Sequence, residues 1–495
     1  MDAKSTPYVS RAVAPAREAG RVPAWLVWSL ILGAALALRL FNLAADAPTT
    51  LSWSGAPFTD EGLYSHAARN RVLFGVWRTD EWDNRLVSPL HDALAYLVFR
   101  WLGVGYVQLR LLSVLLAMVA LAVFWRLLRV DLGERLALLG AALWGLDYFW
   151  LQFSRLGLLE PGMVAWLVIG AWLWRRSLDG GAAWALASGV AIGIAWVWKS
   201  LALLVVPAPL LALLLLDPAL PRRRVAAGYT AGLGAVLVVY GVAWFWPHRN
   251  ELVAYQQFYA ADRFPASLDG LGQALGRNVR SPYVWSQTPV IMAVGVVGAG
   301  IAAGRAGHRA LPPVVALSLA WVVCGLGLLL MPYSPPRYYT LVLPPLVCLA
   351  GVAANVADNL FSPRRPILSI GVLGLSLVWG GMFYMRWLGE RQTTLPDSSR
   401  ALGALVPPGE LVLGVSACGL SLDNELRCAP PFAGLANDAA PVAALGAKYA
   451  LVENNPDDYM RRFYGALLAE ATPIRTLPFG RQRATLYRLE DPPTP

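Results

Sequence analysis

"PLHDALAYLVFRWLG", residues 89–103, decides how this chain threads a membrane. It is apolar enough to resemble a span, yet it is short and carries His91, Asp92 and Arg100. Eleven other apolar runs fall at 24–41, 107–127, 136–154, 158–174, 182–198, 200–216, 225–246, 283–304, 311–331, 338–357 and 366–386. Most approach the roughly 18–20 residues needed to cross about 30 Å of hydrocarbon. Arg-rich linkers separate some of them: "WRLLRVDLGERL" (125–136), "WRR" (174–176), "PRRRV" (221–225), "GRAGHR" (304–309) and "SPRRP" (362–366). Positive charge collects on the cytoplasmic side of a membrane protein. If 89–103 crosses, the basic N-terminus and these five linkers fall on opposite sides. If it lies along the outer surface as an interfacial or re-entrant helix, all of them fall inside. The second arrangement is expected: 11 spans, N-terminus inside, C-terminus outside.

Composition agrees with a polytopic membrane protein. Of 495 residues, 57% are hydrophobic and only 15% charged, against about 25% charged in soluble domains. The mean hydropathy is +0.50, the net charge +10 and the pI about 9.6. Arginine in the cytoplasmic linkers accounts for the excess, and no basic stretch interleaved with aromatics points to nucleic acid. Lys4, Arg11, Arg17 and Arg21 precede the first apolar run, which is longer than a signal-peptide core and reads as an uncleaved span. Cys324 and Cys348 sit in apolar runs as small packing residues. Cys418 and Cys428 lie in the polar C-terminal part and could pair if that part is outside. Their spacing alone does not fix the geometry.

The expected organisation is a cytoplasmic tail (1–23), a transmembrane domain (24–386) with a long first external loop (42–106), and a small extracytoplasmic α/β domain (387–495). In the last, "ELVLGVS" and "KYALVEN" read as buried strands. "DDYMRRFYGALLAEA" reads as an amphipathic helix and "RATLYRLE" as a further strand. No catalytic motif and no internal repeat is evident there.

With this threading, the unusual polar residues near the membrane gather on the outer face. "FTDEGLYSHAARN" (58–70) brings Asp60 and Glu61, with His66 and Arg69. Thr59 as a helix cap with acids in the first turn would explain either acid alone. "SRLGLLEPG" (154–162) carries Arg155 and Glu160, and Pro161 suits a helix's first turn. Lys199 in "VWKSLALLVVP" and Arg337 in "SPPRYYTLVLPP" each read, singly, as interfacial anchors, and His248 likewise. As a set they supply carboxylates for an acceptor and cations for a phosphate at one membrane surface. Ionisable residues there are expensive and mark functional sites.

The order of these features resembles the GT-C class of integral-membrane glycosyltransferases. Within it, the protein O-mannosyltransferase and lipid A aminoarabinose transferase branch (families 39 and 83) is the most similar. "TDEGLYSHAARN" is similar to the Asp-Glu pair of that branch's first external loop, and "LLEPGMVAW" to its acid-Pro turn, with Glu160 in place of Asp. "VWKSLALLVVPAPL" is similar to its Lys-containing turn, with Ser200 in place of Gly. "QQFYAADRF" and "PPRYYTLVLPPL" are similar to later external segments. The resemblance covers about residues 24–357 and does not extend to the tail.

It implies transfer of a sugar from a polyprenyl-phosphate-linked donor to a lipid, protein or glycan acceptor outside the cytoplasm, with inversion at the anomeric carbon. Asp60 would be the base, with Glu61 and Glu160 positioning the acceptor or a cation. Lys199, Arg337 and Arg155 would hold the donor phosphate. His66, Arg69 and His248 would line the acceptor side. Metal use is left open: Asp60, Glu61, Glu160 and His248 could collect a divalent ion, although relatives with monophosphate donors need not use one. The alternative reading is a transporter or flippase of a lipid-linked or sugar substrate, and a non-catalytic scaffold is a third. Transporters place charges at mid-bilayer within repeated halves, whereas here the acids stand in loops and at span ends.

Overall fold

The computed structural model describes residues 22–489 apart from 264, 266, 309, 364 and 439–444. The basic tail expected over 1–23 thus lies almost wholly outside the described residues. The first span, α1 (Ala24–Leu40), leads into two short helices, α2 (Ala56–Tyr64) and α3 (His66–Phe74), and then α4 (Pro89–Leu102). α4 is 14 residues long, about 21 Å at 1.5 Å per residue, too short to cross. It buries His91, Asp92, Ala95 and Phe99 and leaves Trp101 and Leu102 exposed.

The next helix, α5 (Tyr106–Gly145), begins at the end of the bundle where α1 finishes. Arg110, just inside α5, donates to Leu43 O and Ala45 O, both at 2.8 Å, in the loop that follows α1. The chain therefore leaves and re-enters the bundle at one end, and α4 does not cross between. α5 itself folds back at Gly133, whose φ of 79° places it in the left-handed region. Phe124 of the first arm stacks edge-on against Trp144 of the second. The run at 136–154 is divided again: Asp147 caps α6 (Tyr148–Phe153) through Trp150 N at 2.9 Å.

α7 (Glu160–Gly180) and α8 (Ala182–Trp198) follow as an antiparallel pair, and α8 also packs on α10 (Arg222–Tyr240). Between them, a 3-10 turn and α9 (Ala208–Leu214) form a span interrupted at Pro207. α8 and α10 approach with no side chain between them: a Cβ on Gly189 would strike the backbone of Tyr229, and one on Gly232 that of Leu186. Small residues permit such contact in helices that lack a hydrophobic drive to associate in lipid. Two further helices, α11 (Arg249–Arg263) and α12 (Leu268–Arg280), run outside the spans. α13 (Pro282–Gln287) then leads to α14 (Pro289–Ala306), α15 (Pro313–Gly325), α16 (Leu343–Phe361) and α17 (Ile367–Glu390). Proline stands in the first turn of α2, α4, α7 and of α13 to α16, where its missing N–H is not needed. Among the described residues, six helices are long and apolar enough to cross a membrane and three shorter apolar ones accompany them. With α5 counted as two arms and α7 included, the runs read from sequence all have helical counterparts.

The Arg-bearing linkers share one end of the bundle. Arg175 pairs with Asp131 at 2.5 Å, Asp131 accepts from Val314 N at 2.8 Å, and Arg135 pairs with Asp358 at 2.7 Å. The opposite end carries the first loop and the tail. After α18 (Thr394–Leu405) the tail forms a sheet of β1 (Leu411–Leu413), β2 (Arg427–Ala429), β3 (Tyr449–Glu453), β4 (Thr472–Phe479) and β5 (Gln482–Arg488), in the order β2-β1-β3-β5-β4. The first three strands are parallel, and β5 runs antiparallel to both of its neighbours, β3 and β4. β2 and β4 were not legible in the sequence. β2 has only three residues, and β4 contains Pro473 and Pro478, which suit an edge position. Cys418 and Cys428 form a disulfide with Cα atoms 5.2 Å apart, while Cys324 and Cys348 remain free.

This threading is open to a labelling test. Arg223→Cys and Arg305→Cys should react with an impermeant thiol reagent from the same side of sealed vesicles, and Asp269→Cys from the other. Reaction of all three from one side would contradict the parity of the spans.

Candidate active site

Four charged residues converge at the end of the bundle that bears the tail, each from a different element. Asp60 lies on α2, Glu160 opens α7, Lys199 terminates α8, and Arg337 sits in a 3-10 turn (Pro336–Leu341) ahead of α16. Arg337 Nη1 donates to Asp60 Oδ2 at 2.5 Å, and its Nε lies 3.1 Å from Glu160 Oε1, close enough for ion pairing but not aligned as a hydrogen bond. Lys199 Nζ donates to the same Glu160 oxygen at 2.5 Å. Glu160 is thus a buried carboxylate bracketed by two cations. Its other oxygen has no partner among the described residues.

The local chain explains these positions. Glu160 occupies the first turn of α7, where the helix dipole favours an acid. Lys199 adopts an extended conformation, φ −153° and ψ 122°, which ends α8 and turns its side chain toward Glu160. Ser88 fixes this corner by donating to Trp198 O at 2.6 Å. Burial disfavours a charged Arg337, but Asp60, Tyr64 and Glu160 outweigh it and hold the guanidinium above its ordinary range. Tyr338 lies beneath both cations, its ring centre 4.9 Å from Lys199 Nζ and 5.6 Å from Arg337. Exposure separates the acids: the Asp60 side chain is 13% exposed, those of Glu160 and Glu61 0% and 2%.

Other expected site residues stand elsewhere. Both Glu61 oxygens are taken by Arg110, at 2.8 and 2.6 Å, and Gly157 N adds a third bond at 2.6 Å. Glu61 faces away from Asp60 because adjacent helical residues point in different directions. Arg155 does not reach Glu160. It donates to Phe41 O at 2.9 Å and to Asn42 O, and lies over the ring of Trp387. Arg69 donates to Leu426 O at 2.6 Å and Asn424 O at 2.9 Å, binding the tail. His66 is buried against the disulfide, and the His248 ring packs on Trp244. Among the described residues, Asp60, Glu61, Glu160 and His248 do not bring their donor atoms together as one group of metal ligands.

Arg263 and His91 also reach this corner, although neither stands out as a site residue in the sequence. Arg263 ends α11, donates to Ser200 Oγ at 3.1 Å and lies over the ring of Tyr259. Its place within "QQFYAADRF", beside the Lys199-bearing turn, was the available signal. His91 packs edge-on against Trp198. Burial pushes its ring down to about 4, offset partly by Glu160.

Residues 87–246 match the family described as dolichyl-phosphate-mannose-protein mannosyltransferase. That segment includes Glu160 and Lys199 but not Asp60 or Arg337. Among curated protein sequences none matches the chain. Among solved structures, ArnT from Cupriavidus metallidurans bound to undecaprenyl phosphate is similar over 93% of this chain and 98% of that one, at 16% identity and a TM-score of 0.61. The archaeal oligosaccharyltransferase AglB from Archaeoglobus fulgidus, in complex with an inhibitory peptide and a dolichol-phosphate, is similar over 86% of this chain and 69% of that one. The identity there is 11% and the TM-score 0.56. The fold is the GT-C fold, a multi-pass helical bundle with a small α/β domain at one end.

Two stability measurements follow. Glu61→Gln leaves Arg110 buried and short of a counter-charge, and should destabilise the chain by about 3–5 kcal/mol, read as a lower melting temperature in detergent. Asp60→Asn leaves Arg337 paired with Glu160 and should lower it much less. The second measurement concerns pH. Burial raises Asp92 from 3.8 to about 6, so the folded chain keeps a proton there that the unfolded chain releases. Stability from this group falls as pH rises from about 4 to about 6. His91, lowered from 6.5 to about 4, contributes the opposite slope over a similar window. Asp92→Asn removes the first slope, so its melting temperature should climb more steeply than wild type between pH 4 and 6.5.

Proposed function

We propose that this chain is a membrane glycosyltransferase that moves a sugar from a polyprenyl-phosphate-linked donor to an acceptor at the extracytoplasmic face. The observation that carries the reading is the convergence of Asp60, Glu160, Lys199 and Arg337 from four separate elements. The shared fold with proteins solved in complex with undecaprenyl phosphate and dolichol-phosphate supports it.

The chemistry is an inverting displacement. The acceptor oxygen attacks the anomeric carbon from the side opposite the phosphate. The carbon–oxygen bond to phosphate breaks with its electrons on the phosphate oxygen. A phosphate leaves without a general acid, provided cations meet the charge that builds on it. Lys199 and Arg337 supply that charge, with Arg263 added on the present geometry. Asp60, the site carboxylate with solvent exposure, takes the acceptor's proton. Glu160 keeps the two cations side by side. Glu61 and Arg155 are assigned to the frame, because their polar atoms are engaged away from the cleft.

The Arg-bearing end is the cytoplasmic side on this reading, and the N-terminus lies there. The tail is then extracytoplasmic, a side on which the Cys418–Cys428 disulfide persists. A transporter or flippase would leave the glycosyl–phosphate bond intact, which separates it from a transferase. Purified chain given polyprenyl-phosphate sugars together with a membrane extract as the source of acceptor should release polyprenyl phosphate. Asp60→Asn should lower turnover by about 10²–10⁴-fold while undecaprenyl phosphate still binds. Lys199→Ala should weaken that binding. Undiminished turnover in Asp60→Asn would remove the proposed base, and lipid translocation without bond cleavage would favour the transporter.

A further inference from the structure

Outside the cleft, His66 stands at a junction with no part in the proposed reaction. Its Nδ1 lies 3.3 Å from Cys428 Sγ and 3.6 Å from Cys418 Sγ. Its Nε2 lies 2.7 Å from Asp80 Oδ1 and 3.1 Å from the Asn70 amide. Asp80 is itself held by Asn437 Nδ2 at 2.8 Å. All three donor residues, His66, Cys418 and Cys428, are buried, and their ligand atoms lie within 4.8 Å of one another.

A carboxylate only accepts hydrogen bonds, so the 2.7 Å contact with Asp80 places a proton on Nε2, and the longer Asn70 contact at 3.1 Å is then not a bond donated to that nitrogen. In the neutral ring, the Nδ1 electron pair then points at two disulfide sulfurs, neither of which carries a hydrogen. A buried acceptor facing atoms that cannot donate is an unsatisfied group. Cleaving the S–S bond changes this, since each sulfur becomes a thiol or thiolate. The sulfur–nitrogen spacing also fits a metal, once the two sulfurs, bonded to each other here, part to the tetrahedral edge of about 3.8 Å. Bonds of about 2.3 Å to sulfur and about 2.05 Å to nitrogen at a tetrahedral angle give a sulfur–nitrogen edge of roughly 3.5 Å. The two observed separations, 3.3 and 3.6 Å, bracket that edge. Asp80 on the far ring nitrogen is the outer carboxylate that orients metal-binding histidines.

We propose that the dithiol form of this chain binds zinc through His66 Nδ1, Cys418 Sγ and Cys428 Sγ, with a fourth position for water. A phosphine reductant supplies two electrons to the S–S bond and takes an oxygen from water, leaving two thiols. Zinc then displaces both thiol protons. The disulfide links the tail only to itself, whereas the ion would join the tail to α3.

The test uses the full-length chain in detergent, reduced with a phosphine without oxygen, exposed to zinc and dialysed. About one zinc per reduced chain is expected, and essentially none in the oxidised chain. Cobalt in place of zinc should give thiolate-to-cobalt charge-transfer absorption and tetrahedral d–d bands. Asp80→Asn should weaken affinity roughly 10–100-fold, and His66→Ala should abolish retention. Reduced wild type holding no more zinc than the Cys418→Ser/Cys428→Ser variant would overturn the proposal. So would a cobalt spectrum without thiolate bands, a result read on the wild-type chain and independent of how any variant folds.

Discussion

Two cations do not sit together in a buried corner unless something between them carries the opposite charge. Glu160 fills that place, with Lys199 and Arg337 both on its Oε1. The desolvation of three charged groups is offset only while their geometry is kept. Four elements therefore have to meet: the start of α7, the end of α8, the turn before α16 and, through Asp60, α2. The helix junctions serve this meeting. Gly133 folds α5 back so that α7 starts at the site end, and Pro207 breaks the following span just beyond Lys199.

The second buried pair, Glu61 with Arg110, has a different task. It ties α2 to the root of α5 and to the loop leaving α1. Asp60 and Glu61 are neighbours in sequence, yet one looks into the cleft and the other into the frame. The frame fixes where the cleft's acid stands.

Much of this could be read from the sequence, and the limits have physical causes. The spans follow from apolar length, and the non-crossing of α4 from its shortness and from the parity of the Arg linkers. Asp60, Glu160, Lys199 and Arg337 stood out because charges at span ends are expensive. Burial could not tell Glu61 from Asp60, since direction around a short helix depends on where that helix starts. Arg155 and Arg69 read as phosphate or acceptor ligands because their real partners, backbone carbonyls far along the chain, leave no trace in composition. Arg263 was hidden for the converse reason: an arginine in a polar loop is ordinary until folding sets it beside Ser200. The strands β1, β3 and β5 announced themselves by their apolar residues, while β2 was too short to do so.

Gly62 sits on α2, two residues past Asp60, and its Cα faces the main chain at Cys418 with no room for a methyl group. The tail's backbone thus touches the helix that carries the proposed base. Tails of this kind are not interchangeable parts: grafting one from a distant relative would bring a differently shaped loop against α2 and shift the acid. A side chain at position 62 and the path of the loop at Cys418 therefore cannot be chosen independently.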